Sequence, residues 1–206
     1  MSYIIDRKMR QLDGRLIDPF DLQAKDFNPK EYVHSLSLLN RFTGHSKYPY
    51  SVMQHTFNII RHLIDRGYGE LETQVLRAAM LHDFAEVWSN DVSSPFKTEC
   101  KDYKAACKGI QTRIECIANG EPFDGWVHEI VDEADKSIYK AERDALQYVL
   151  PHEQGMGDDR PDLDFSMCVF AEADWRAVRH AGFKLWNHLF KEMPIVSYNP
   201  TREGLQ

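Results

Sequence analysis

Apolar residues along this chain recur mostly every three to four positions, the spacing that loads one face of an α-helix. Val33, Leu36 and Leu39 make a first stripe, and with Pro29 at an N1-like position they predict a helix over Pro29–Leu39. Val52, Phe57, Ile59, Ile60, Leu63 and Ile64 make a stronger one, with Ser51 as candidate N-cap and Gly67 as its stop. Further stripes predict helices over Leu71–Val87, over 99–118 (Ile110, Ile114, Ile117) and from Trp126 to Leu150. A last amphipathic helix is expected near Phe165–Met193, with Trp175, Val178, Phe183, Trp186 and Leu189 on its core side.

Turn-forming residues separate these stretches. Thr43-Gly44 and Pro49 mark 41–49 as a loop, 88–97 reads as a polar loop ending in Ser94-Pro95, and 151–164 as a long loop rich in Pro, Gly and Asp. Asp13-Gly14 and Asp18-Pro19 punctuate an irregular, extended or hairpin-like lead-in over 1–28, and 194–206 reads as a tail. Alternating strand patterns are missing, so the expected class is all-α, a single helical bundle over 29–193.

Composition narrows the function. With 206 residues, 43% hydrophobic and 28% charged, the chain is ordinary for a globular domain. Its net charge of -7 argues against a long nucleic-acid partner, which needs a basic surface, but not against a small phosphate ligand. Cys100, Cys107, Cys116 and Cys168 include no C-x-x-C pair, so reduced thiols in a cytoplasm are expected. No run of about 18 apolar residues, the length a membrane span needs, is present.

Candidate chemistry concentrates at Leu81-His82-Asp83-Phe84-Ala85-Glu86, directly after an apolar run. Polar residues ending a buried stretch need partners, and a divalent cation would satisfy both His82 and Asp83. Glu86 lies four residues from His82, on the same helical face. Flanking helices offer His55 on one side and Asp132, Glu133 or Asp135 on the other. Two imidazoles with two carboxylates suit Zn, Mn, Fe, Co or Mg rather than a soft thiolate site.

The order His55, His82-Asp83, Asp135 on successive helices resembles the HD-domain phosphohydrolase superfamily. Asn40-Arg41-Phe42-Thr43-Gly44-His45 followed by Tyr50-Ser51-Val52-Met53-Gln54-His55, and His82–Glu86 followed by Asp91-Val92-Ser93-Ser94-Pro95-Phe96-Lys97, are similar to blocks of phage and bacterial HD hydrolases. YfbR-like 5'-deoxynucleotidases and phage dATP triphosphohydrolases are the groups it resembles most. The resemblance implies metal ligation by His55, His82, Asp83 and Asp135, with Glu86 as general acid/base and Asp91 positioning water or the scissile group. It also implies phosphate or sugar contacts from Arg41 and Lys97, further phosphate contacts from His45 and Lys47, and Phe42 where the 5'-nucleotidases carry a Trp.

The expected activity is therefore release of phosphate from deoxynucleoside 5'-monophosphates, using a divalent metal (Co, Mn, Zn, Mg or Fe). The first alternative is a dNTP triphosphohydrolase, and a distant one is a non-catalytic nucleotide- and metal-binding regulator. Di-iron oxygenase chemistry needs extra histidines, and only His128 lies between Asp83 and Asp135. A homo-oligomer in a bacterial or phage-infected cytoplasm, with no membrane partner, completes the expectation.

Overall fold

The computed structural model of the chain describes residues 7–69, 72–148 and 168–191. Strands β1 (Met9–Arg10) and β2 (Leu16–Ile17) pair antiparallel around Gly14, whose φ is +88°. Apart from this hairpin, the regular structure among the described residues is helical, so the fold is all-α.

Helix α1 (Pro29–Leu38) starts where Asn28 accepts a hydrogen bond from the Lys30 N–H at 3.1 Å, with Pro29 in its first turn. Helix α2 (Val52–Asp65) opens on a capping box. Ser51 Oγ accepts from Gln54 N at 3.2 Å, and Gln54 Oε1 accepts from Ser51 N at 3.0 Å. It closes at Gly67, φ +93°, where Gly67 N donates to Ile64 O and Tyr68 N to Leu63 O in a Schellman turn.

The expected helix over 71–87 is not continuous. It divides into α3 (Thr73–Leu81) and a short α4 (Glu86–Ser89), with His82–Ala85 as a tight turn between them. Phe84 N and Glu86 N there bond carbonyls three residues back, Leu81 O and Asp83 O. The expected loop before Lys97 is in part α5 (Ser94–Glu99), because Pro95 in its first turn presets helical φ instead of ending a loop.

Helix α6 (Lys101–Asn119) follows and ends at left-handed Gly120. Its Gln111 explains how the break after α3 is tolerated. Gln111 Nε2 donates to Leu81 O at 2.9 Å, and Gln111 Oε1 accepts from Ala85 N at 3.2 Å, satisfying backbone groups at both edges of the turn. Helix α7 (Gly125–Leu146) stops short of Leu150 because Gln147 is extended. Helix α8 (Trp175–Phe190) begins later than expected, at an Asp174 cap that accepts from Arg176 N at 2.7 Å. The predicted loop over 151–164 and the tail from 194 lie outside the described residues.

Helix α2 sits in the middle, packed by α1, α3, α7 and α8. Met53, Ile59 and Leu63 meet Val75, Ala79 and Met80 of α3 and Val131, Ala134 and Ile138 of α7 in one core. Both tryptophans are partly buried: Trp186 packs against the core and stacks on Phe190 and Phe84, whereas Trp175 lies against His34. Among the described residues no helix is long and apolar enough to cross a membrane.

One close approach sets the position of α8. A Cβ on Gly182 would lie 2.6 Å from Val33 Cγ1 and 3.0 Å from Met53 Sδ, so α8 rests on α1 and α2 only without a side chain there. Gly182→Ala is expected to destabilise the fold by about 1–3 kcal/mol through overpacking. A chemical-denaturation midpoint equal to wild type would contradict that packing.

Candidate metal centre

Three segments converge at one end of α2. His55 comes from its second turn, His82 and Asp83 from the tight turn after α3, and Asp135 from the middle of α7. Donor atoms of His55, His82 and Asp135 all lie within 4.8 Å of one another. His55 Nε2 is 3.0 Å from Asp135 Oδ1 and 3.8 Å from Asp83 Oδ2, and His82 Nε2 is 3.0 Å from the same Asp83 oxygen. His55, His82 and Asp135 thus form a group that could bind a metal ion.

The ring nitrogens carry the test of fit. Nε2 of His55 and of His82 are buried, and neither has a partner in hydrogen-bond geometry. Their other nitrogens are occupied: His82 Nδ1 lies 2.7 Å from Ala79 O, and His55 Nδ1 lies 2.8 Å from Glu142 Oε1. With Nδ1–H held by an acceptor, loss of the Nε2 proton to an incoming cation frees a lone pair facing the cluster, the arrangement of metal-ligating histidines. The tight turn keeps His82 at helical φ/ψ at the end of α3, and from there His82 and Asp83 meet His55 of α2, with Asp135 of α7 beside His82.

Electrostatics agree with this geometry. Burial and the Arg41 charge both oppose a proton on His55, yet the carboxylates of Glu142 and Asp135 outweigh them and raise its pKa to about 10. Burial also opposes ionisation of Asp83, but His82, His55 and Arg41 hold it far below the usual carboxylate range. The cluster draws positive charge to itself, and a divalent cation supplies that charge without protonating a ligand.

A cleft of about 540 Å³ opens beside these residues. Asp83 and Asp135 reach it, together with the expected Arg41, Phe42, Glu86, Asp91 and Lys97. Glu86 is buried; its Oε1 accepts from Lys97 Nζ at 2.9 Å, and its Oε2 has no partner. Burial, then the charges of Asp83 and Asp91, push its pKa well above the ordinary value against the pull of Lys97. A carboxyl so shifted holds a proton more readily than an ordinary glutamate, which suits general acid–base work.

Phe42 and Thr43 both have positive φ, +58° and +54°, a left-handed backbone that bulky residues rarely adopt. Such strain costs about 1–3 kcal/mol per residue and concentrates at functional sites. The Phe42 ring lies 5.9 Å from Tyr139 across the cleft.

Not every expected residue joins the site. Lys47 Nζ donates to Ala145 O at 2.8 Å, so this lysine caps the end of α7, and exposed His45 gives its carbonyl to Gln147; neither lines the cleft. The chain at 45–47 turns beneath α7, which carries both away. Glu133 faces Arg66 at 3.5 Å and Asp132 is exposed, so of the three candidate acids only Asp135 meets the imidazoles. His128 pairs with Glu115 at 3.4 Å.

Glu142 was not among the expected site residues, nor were Lys136, Tyr139, Lys140 and Arg143 of the cleft wall. Their signal was present as helical spacing from Asp135, with Tyr139 one turn on and Glu142 two turns on. No protein-family model matches the chain, and no curated protein matches it.

Zinc at about 100 times its Kd should raise the unfolding free energy by about 2.7 kcal/mol. His82→Ala should remove most of that gain, because one of two imidazole donors is lost. A zinc-induced shift in Tm unchanged by His82→Ala would rule this centre out as the binding site.

Proposed function

We propose that this chain is a metal-dependent phosphohydrolase of small deoxynucleotides, of the HD-domain kind its motifs resemble. The observation that carries the reading is the pair of buried, inward-facing Nε2 atoms, each 3.0 Å from an aspartate oxygen, at the edge of a cleft that Glu86, Arg41 and Lys97 also line. Asp83 completes the ligand set with His55, His82 and Asp135. A divalent cation there, of Zn, Mn, Co, Mg or Fe type, supplies Lewis acidity that polarises a phosphoryl group and lowers the pKa of water.

The protein's own groups divide the remaining work. Arg41 and Lys97 take phosphoryl oxygens, since a guanidinium fork and an ammonium offset charge developing on them. Asp91 orients the attacking water. Glu86 gives its proton to the ester oxygen as the phosphorus–oxygen bond breaks, water supplies the new oxygen on phosphorus, and the proton that water loses restores Glu86. With a deoxynucleoside 5'-monophosphate, the products are deoxynucleoside and inorganic phosphate. Assembly as a cytoplasmic homo-oligomer belongs to the same reading.

One observation favours a second substrate. Lys136, Lys140 and Arg143 follow Asp135 along the α7 wall of the cleft, at one, five and eight residues. At about 1.5 Å of rise per residue this row extends roughly 12 Å from the metal ligand. Such a row suits the longer anionic tail of a deoxynucleoside triphosphate, with release of triphosphate.

Product identification from dAMP and dATP separates the two: phosphate from dAMP supports the first, triphosphate from dATP the second. Asp83→Ala should abolish both zinc retention and turnover. Glu86→Gln should keep the metal and lose about 10²–10⁴-fold in kcat. Full turnover by Asp83→Ala with metal excluded would contradict the reading.

A further inference from the structure

Glu142 is fully buried, and an unpaired carboxylate is expensive in such a place. It is not unpaired. Its Oε1 accepts from Tyr50 Oη at 2.8 Å and meets His55 Nδ1 at 2.8 Å, while its Oε2 accepts from Arg41 Nε at 3.1 Å. Asn58 Nδ2 donates to Tyr50 Oη at 2.7 Å, which turns the hydroxyl proton towards Glu142. One carboxylate therefore touches both an inner imidazole of the metal centre and the guanidinium that lines the cleft.

We infer that Glu142 is a positioning residue shared by the two halves of the site: it fixes His55 for the cation and Arg41 for the substrate's phosphate. Cation binding and phosphate binding are thereby coupled through a single side chain. The inference rests on the metal-centre reading above and adds a role to it. With Nδ1–H held by Oε1, His55 presents the Nε2 lone pair. With Nε held by Oε2, Arg41 keeps its terminal nitrogens for the cleft, where NH1 lies 3.6 Å from Asp83 Oδ2. Glu142 contacts no reacting atom and acts only through these two partners.

The isosteric amide separates this role from simple packing. In Glu142→Gln one end is an acceptor and the other a donor. If the oxygen faces His55, the NH₂ faces Arg41 Nε–H, donor against donor. If the NH₂ faces His55, the ring must carry its proton on Nε2, which removes the lone pair from the cation. No orientation serves both partners, although size and shape are preserved.

The test uses the full chain, with zinc affinity measured by competition against a chromophoric chelator and KM and kcat measured on dAMP at saturating zinc. Glu142→Gln is expected to weaken zinc binding about 10–100-fold, the usual loss for an outer partner of a ligating histidine. It is also expected to raise KM by a larger factor than it lowers kcat. His128→Gln, at a ring that pairs with Glu115 outside the centre, should keep zinc affinity at the wild-type value. Unchanged zinc affinity in Glu142→Gln, or an equal loss in His128→Gln, would overturn the inference.

Should Glu142→Gln fail to fold, the nitrogen NMR spectrum of the zinc-loaded wild-type protein decides. A protonated Nδ1 and a zinc-bound Nε2 on His55 support the role, and the opposite tautomer overturns it. Wild-type protein that binds no zinc would overturn the metal reading itself, and this inference with it.

Discussion

A single imidazole, His55, is buried between carboxylates on opposite sides of its ring. Glu142 holds Nδ1, and Asp135 and Asp83 stand at Nε2. Removing one partner of a buried charged pair costs about 3–5 kcal/mol, so the stability of the bundle is tied to this set of groups. The centre of the bundle is built to hold that ring. Its helix, α2, is capped at Ser51, stopped at Gly67 and enclosed by four neighbours, so His55 has little freedom to move.

The surroundings follow from the same charge balance. Aspartates and glutamates outnumber the cations that touch them at the centre, and the imbalance draws positive charge inward, as the raised pKa of His55 expresses. Further out along α7 the sign reverses through Lys136, Lys140 and Arg143. A cation at the acidic end and an anion along the basic wall would each be attracted to its own place, in keeping with the proposed hydrolysis of a phosphate ester. The broken helix between α3 and α4 belongs to this design. It costs regular hydrogen bonds, which Gln111 partly replaces, and it brings His82 and Asp83 to the centre together.

Much of this was legible in the sequence where the cause is local. Ser51 with Gln54, Pro29 after Asn28, and Gly67 all act within a few residues, and the apolar stripes of α1, α2, α6 and α7 needed only their period. His55, His82 and Asp135 were legible as ligand types on separate helices. The break at His82–Ala85 was not, because the side chain that supports it, Gln111, is distant in sequence. The same holds for Glu142. Its place two turns after Asp135 is visible within Lys140-Ala141-Glu142-Arg143-Asp144, but its inward contacts with His55 and Arg41 come only with the fold. Lys47 is a cation near the right motif whose Nζ donates to Ala145 O at the end of α7, away from the cleft.

The central claim is that two imidazoles and carboxylate oxygen share one cation. X-ray absorption at the zinc edge, on the full chain loaded with one equivalent, measures this directly. The account predicts a first shell of nitrogen and oxygen at about 2.0–2.1 Å with outer-shell scattering from two imidazole rings. A shell of oxygen alone, or one imidazole, would contradict it.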